Sequence, residues 1–168
     1  DLMNKSHALF EYSYRFAGDL HAGKKRASNQ DEIICLPEYG FFAVSDGMGG
    51  LSSGGKTSEM IRQVMPVLIK NIYRELSEAL NPENAAALLK EQVAMISDNI
   101  FETGNRDSYF SFGATFCGVW LIQDKAVFIN LGDSRGYHLP RYKKTLVQIT
   151  SDHNMAGVLL KQGELTKS

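Results

Sequence analysis

Several features are scarce in this 168-residue chain, and each scarcity removes a class of explanation. There are two cysteines, Cys35 and Cys117, which make neither a disulfide framework nor a zinc pattern. Both stand in apolar, strand-like runs and read as small buried side chains rather than nucleophiles. That usage leans towards a cytoplasmic setting. Charge of one sign is also missing. The 18 basic and 19 acidic residues leave a formal net charge of −1, so nothing electrostatic points to nucleic acid or an anionic membrane as a partner. No apolar run is long enough to cross a bilayer. The opening DLMNKSHALFEYSYRF lacks the charged start and apolar centre of a secretion signal. No repeat, charge block or low-complexity tract divides the sequence. What remains is 43% hydrophobic and 22% charged, and suits one compact domain, 1–168, with a real core.

The first third reads as strands. Tyr12, Tyr14 and Phe16 alternate with Ser13 and Arg15, the period-two pattern of a half-buried strand. Ile33 to Leu36 and Phe41 to Val44 follow, joined by Pro37-Glu38-Tyr39-Gly40, which has the length and chemistry of a hairpin loop. The middle is helical. Met60, Ile61, Val64, Leu68, Ile72 and Leu76 recur at three- and four-residue steps from about Thr57, with Pro66 expected to kink the run. A second helix starts at Asn81 as cap and Pro82 as first residue, carries Leu89, Val93, Ile96 and Ile100, and is expected to end at Gly104. The last third returns to strands at Gly113 to Ile122, Ala126 to Asn130, Arg135 to Leu139 and Thr145 to Ile149. Their connections are too short for parallel crossovers. The order predicts an α+β architecture of antiparallel sheets with a helical layer.

Two chemistries compete for the segment from Ala43 to Met60. Gly50 to Thr57, GLSSGGKT, satisfies the phosphate-loop pattern G-x-x-x-x-G-K-[ST]. That loop needs a strand running straight into its first glycine and a parallel sheet, whereas here the strand is expected to end near Val44 or Ser45 and the sheet is antiparallel. The alternative is a metal site. Asp31, Asp46 and Asp133 each lie at the end of an apolar strand, and Gly47 lets its carbonyl approach an ion closely. A lone aspartate in such a place is ordinarily a turn or cap residue, so the argument rests on three together. Two carboxylates within about 4 Å would repel by roughly 4 kcal/mol at an effective dielectric near 20, a penalty that a hard cation such as Mg²⁺ or Mn²⁺ removes. Arg26, five residues before Asp31, could present a guanidinium fork to a phosphate.

Five segments carry a family resemblance: RASNQD (Arg26 to Asp31), VSDGMGG (Val44 to Gly50), FGATFCGV (Phe112 to Val119), NLGDSRGY (Asn130 to Tyr137) and ITSDHN (Ile149 to Asn154). Together and in this order they resemble the metal-dependent protein serine/threonine phosphatases, the type-2C or PPM class, in its bacterial form. The resemblance implies two packed antiparallel β-sheets flanked by antiparallel helix pairs. It implies hydrolysis of phosphoserine and phosphothreonine in proteins by a metal-bound water, with no covalent enzyme intermediate. Asp46 would bridge two Mn²⁺ or Mg²⁺ ions, the Gly47 carbonyl would bind one of them, and Asp31 would act directly or through water, with Gln30 behind it. Asp133 would serve a third ion, and Arg26 would hold the substrate phosphate. Asp152 and His153 would be structural. Met48 stands where animal members often have a histidine. The implied partners are phosphorylated proteins and a cognate protein kinase, with no nucleic acid and no membrane. The family pattern runs on past SDHN with two further metal-binding aspartates. Here Glu164 is the sole later acid, and the chain stops at Ser168 in a helix expected from near Met155. The domain is thus expected to be C-terminally incomplete, with ligands missing, sheet edges unpaired and weak or absent activity as it stands. A catalytically inactive, phosphatase-like binding module is the alternative function, and a P-loop nucleotide-binding protein the third.

Overall fold

The computed structural model describes residues 14–24, 28–48, 54–106 and 113–154. β1 (Asp31–Leu36) and β2 (Phe41–Met48) form an antiparallel hairpin. Its connection is one 3-10 turn, Pro37–Tyr39, closed by Gly40 at φ 67°, a left-handed conformation that is free of steric cost only for glycine. Two helices follow, α1 (Gly54–Leu76) and α2 (Pro82–Arg106). Then come β3 (Gly113–Ala114), β4 (Phe116–Ile122) and β5 (Lys125–Leu131). The sheet has the order β1-β2-β4-β5, with β3 also on β2, and every pairing is antiparallel. A separate two-stranded sheet pairs β6 (Tyr137–His138) with β7 (Val147–Gln148).

Alternation along β2 divides the main sheet into two faces. Phe41, Ala43, Ser45 and Gly47 are buried, whereas Phe42, Val44, Asp46 and Met48 are half-buried or exposed. Phe41 and Ala43 pack with Ile34, Phe116, Trp120 and Ile122 against Ile61, Met65, Ile69 and Ile72 of α1 and Ala85, Leu89 and Val93 of α2. Trp120 is fully buried, stands edge-on to Phe41 at 5.9 Å, and donates its indole N–H to the Tyr39 carbonyl at 2.9 Å. Each such large side chain contributes about 1.5–3 kcal/mol through burial. The small sheet lies on the opposite side, where Gly136 approaches Phe128 so closely that a Cβ would stand 3.3 Å from its ring. The architecture is α+β, as the alternating and helical patterns predict.

α2 begins where Asn81 and Pro82 place it. The Asn84 N–H donates to the Asn81 side-chain oxygen at 2.9 Å, and the Asn81 N–H donates to that of Asn84 at 2.9 Å. This is a reciprocal capping box with asparagine in the third position instead of glutamate.

Several sequence expectations differ from what is found. Tyr14 to Phe16 is not a strand. Both rings instead pack on Phe42, at 5.8 and 5.2 Å, and the Tyr14 hydroxyl donates to the Pro37 carbonyl, so the alternation records packing without a ladder. Tyr12 and Ser13 lie outside the described residues, as do the helix expected from Met155 and Glu164. β2 does not end at Val44 but runs on to Met48, because Asp46 pairs with Asp31 on one side and Gly47 with Ala114 on the other. Pairing on both sides outweighs the poor strand propensity of Asp and Gly. α1 starts three residues earlier than Thr57 and carries Pro66 inside it, while α2 passes Gly104 to reach Arg106. Arg135 to Leu139 and Thr145 to Ile149 shrink to two-residue strands.

Candidate functional site

The hairpin brings two of the predicted site residues together. Its register runs without a break from Leu36 opposite Phe41 to Asp31 opposite Asp46. Directly opposed residues share a face, with Cβ atoms about 4.5–5.5 Å apart, and like charges in that position are destabilising. The face is the one turned away from the helices. On β1 the neighbouring residue, Glu32, turns the other way and meets Arg62 of α1 at 3.1 Å. One Asp31 oxygen, Oδ1, is buried without a hydrogen-bond partner. A buried, unpaired carboxylate oxygen beside a second carboxylate is costly unless a cation accompanies it.

The backbone around this pair is held tightly. Gly47 N–H donates to the Gln30 carbonyl at 3.0 Å, and the buried Ser58 hydroxyl of α1 donates to the same carbonyl at 2.6 Å. The residue before Asp31 is thereby tied to both β2 and the N-terminal part of α1. The Asn29 side chain accepts the Asp31 N–H at 3.1 Å. On the other side of β2, Thr115 binds Asp46 twice: its N–H donates to the Asp46 carbonyl at 2.9 Å, and its hydroxyl accepts the Asp46 N–H at 3.0 Å.

Asp133 lies just beyond β5 on an exposed loop. Asn154 Nδ2 stands 3.5 Å from its Oδ2. The loop is anchored by Asn130, which donates to the carbonyls of Gly132 and Ser151, and by His153, whose N–H donates to the Gly132 carbonyl at 2.9 Å. Asp152 takes a two-pronged contact from Arg135, at 2.9 and 2.5 Å, plus a hydrogen bond from Gln148 at 3.2 Å. This contact holds the Arg135 proton more firmly than usual, the hydrogen bond to Asp152 being the larger cause and Tyr137 the next. Asp152 and His153 therefore brace the loop.

Among the described residues, no three of His, Cys, Asp and Glu stand close enough to hold a metal ion between them. The structure thus joins Asp31 and Asp46, with Gly47 next to Asp46 in β2, but does not bring Asp133 in as a third acid. Arg26 lies outside the described residues, as do Gly50 to Ser53 of the phosphate-loop pattern. Lys56 is exposed on the first turn of α1, and the antiparallel sheet removes the context that a nucleotide loop needs. Cys117 is buried and Cys35 half-buried, both are free, and burial raises both thiols above their ordinary range. They stay protonated at neutral pH, which fits packing rather than nucleophilic chemistry.

Sequence reasoning missed Thr115, Ser134 and Asn154 as parts of this neighbourhood. A signal existed for Thr115, since a hydroxyl inside the apolar run GATFCGV must find a partner when buried.

Two opposed carboxylates, one with an orphaned buried oxygen, offer donors of the kind a hard divalent cation prefers, since such an ion takes oxygen ligands and keeps several waters. The residues present fit such an ion.

Residues 17–155 match the profile of the family described as Protein phosphatase 2C. The serine/threonine phosphatase stp of Listeria welshimeri is 30% identical over 125 residues, or 74% of this chain and 47% of its own length. A crystal structure of the Mycobacterium tuberculosis serine/threonine phosphatase PstP/Ppp matches with a TM-score of 0.68 at 26% identity, over 88% of this chain and 57% of that one. A structure of the PstP catalytic domain, 24% identical with a TM-score of 0.68 over 88% and 59% of the two chains, is in complex with 2 manganese ions. The chain spans about half the length of the curated relatives it matches. No helix among the described residues is long and apolar enough to cross a membrane.

Proposed function

Because the chain belongs to the protein phosphatase 2C family, we propose that it forms part of an enzyme that removes phosphate from phosphoserine and phosphothreonine in proteins. The observation that carries this reading is the opposition of Asp31 and Asp46 across one rung of the hairpin, with the Asp31 Oδ1 atom buried and unpaired. Asp46 and Asp31 would hold divalent ions, Mn²⁺ or Mg²⁺, with the Gly47 carbonyl beside them. Manganese in the PstP structure supports that choice. Bound ions would supply Lewis-acid stabilisation of the phosphoryl oxygens and lower the pKa of water near them. Arg26 would orient the substrate phosphate through a bidentate guanidinium contact. Asp133, on its braced loop, would serve a third ion. A cognate protein kinase would supply the substrates, and the cytoplasm is the proposed setting.

The test is phosphate release from a phosphothreonine peptide by the whole protein, with Mn²⁺ present and after chelation. Release that needs the metal is expected. Absence of release at saturating Mn²⁺ rejects the enzyme reading. One observation favours a second reading, a phosphatase-like module that binds without hydrolysis: the described acids form a pair, not a group of three. Peptide binding without turnover would select it.

A further inference from the structure

The ladder between β2 and the β3–β4 segment contains one exchanged hydrogen bond, at the rung that carries Asp46. Pairing on either side, Val44 with Cys117 and Gly47 with Ala114, places Asp46 opposite Thr115. A regular antiparallel rung would send the Asp46 N–H to the Thr115 carbonyl. Instead it goes to the Thr115 hydroxyl, at 3.0 Å, and the Ser45 hydroxyl takes the freed carbonyl at 2.8 Å. The Thr115 hydroxyl also stands 2.6 Å from that of Ser134, the residue after Asp133. Thr115 is 1% exposed, so water does not substitute for these partners.

The same loop rests on Thr115 in a second way. Gly132 has φ +99°, and a Cβ there would lie 2.9 Å from the Thr115 methyl group. One side chain therefore meets β2 at Asp46 through its hydroxyl and the Asp133 loop through both hydroxyl and methyl.

We propose that Thr115 is a positioning residue of the metal site, whose hydroxyl sets the backbone of Asp46 and locks the Asp133 loop to it through Ser134. This rests on the metal-phosphatase reading above. Groups that orient metal ligands through one hydrogen bond typically change metal affinity about 10- to 100-fold when removed. Valine has threonine's shape without the hydroxyl, so Thr115→Val removes both bonds at near-constant volume, whereas Thr115→Ser keeps them.

The experiment measures Mn²⁺ binding by calorimetry and Asp46 amide exchange by NMR, on the whole protein. Thr115→Val is expected to bind Mn²⁺ about tenfold more weakly and to exchange the Asp46 amide faster. Its half-saturating metal concentration in phosphatase assays should rise more than its rate at saturating metal falls. Thr115→Ser should restore affinity to within about threefold of wild type. Wild-type affinity in Thr115→Val overturns the proposal while leaving the phosphatase reading intact. If the wild-type protein binds no Mn²⁺, both fall together. Should Thr115→Val fail to fold, Ser134→Ala carries the test, since it leaves the β2 ladder untouched. Several-fold weaker Mn²⁺ binding supports the lock, and unchanged binding overturns it.

Discussion

If Asp31 and Asp46 oppose each other as the hairpin register sets them, neutralising one has opposite effects without and with metal. Their Cβ atoms are about 5 Å apart, and two unit charges at that separation repel by about 3 kcal/mol at an effective dielectric near 20. Both residues are half-buried, and solvent screening of partly exposed charges reduces this to about 1 kcal/mol. Asp31→Asn removes the repulsion and can place an amide N–H towards the remaining carboxylate. In metal-free buffer the variant should therefore be more stable than wild type by about 1 kcal/mol, a rise of roughly 2–4 °C in Tm for a chain of this size.

If the pair holds a cation, as proposed, metal should reverse the order. An ion at one hundred times its Kd adds about 2.7 kcal/mol to the wild-type protein, and loss of a carboxylate ligand should remove most of that gain. Calorimetric melts of both proteins with chelator and with saturating Mn²⁺ give the four values required. A variant less stable than wild type in chelator would show that the two charges do not face each other. Equal stabilisation of both proteins by Mn²⁺ would show that Asp31 does not serve the ion.

Other perturbations test the scaffold. Gly132→Ala forces an L side chain into φ +99° and against Thr115, and should cost about 2–3 kcal/mol in urea unfolding; a loss under about 0.5 kcal/mol would refute the close approach. Asn81→Ala removes one half of the capping box at α2 and should cost about 1 kcal/mol, again read from the urea midpoint; an unchanged midpoint would refute the cap. Burial raises the Cys35 and Cys117 thiols in the folded protein. Their contribution to stability is then complete below the ordinary thiol value of about 8.5 and is lost as pH climbs through the folded values. The urea midpoint should fall from about pH 8.5 upwards, and less steeply in Cys35→Ala; a midpoint that stays level to about pH 10 contradicts this.

Much of the fold was legible because local signals and tertiary packing agree. Pro37 to Gly40 announces the hairpin, Asn81-Pro82 the start of α2, and the steps Leu89, Val93, Ile96 and Ile100 its packed face. On α1 the expected stripe is only partly right, since Ile61 and Ile72 are buried but Met60 and Val64 are exposed, and Met65 and Ile69 take their place in the core. The opposition of Asp31 and Asp46 was legible as well, by counting back from the turn: five residues separate each from its end of the loop. It was obscured by ending β2 at Val44, since Asp and Gly read as strand breakers until their partners on both sides are known. Tyr14 and Phe16 misled for the converse reason, as two rings on Phe42 give a period of two without any ladder. For Thr115 the sequence shows only that a buried hydroxyl needs a partner; that the partners are Asp46, 69 residues away in sequence, and Ser134 is visible only in the fold.

The departures from ordinary sheet chemistry are concentrated in one place. Like charges face each other at one rung, a glycine follows in mid-strand, a side-chain hydroxyl replaces a carbonyl in the ladder, and a carboxylate oxygen is buried without a partner. Elsewhere in the same sheet, Phe41, Ala43, Trp120 and Ile122 follow strict alternation into a packed apolar layer. Opposed like charges and orphaned oxygens destabilise a sheet, and such conflicts between local rule and global fold are expected where function sits. Had this chain only to present a binding surface, uncharged residues at 31 and 46 would make a more stable hairpin. The retained pair is physically coherent when a cation accompanies it, and that is the strongest ground for preferring the metal-dependent reading to the inert one.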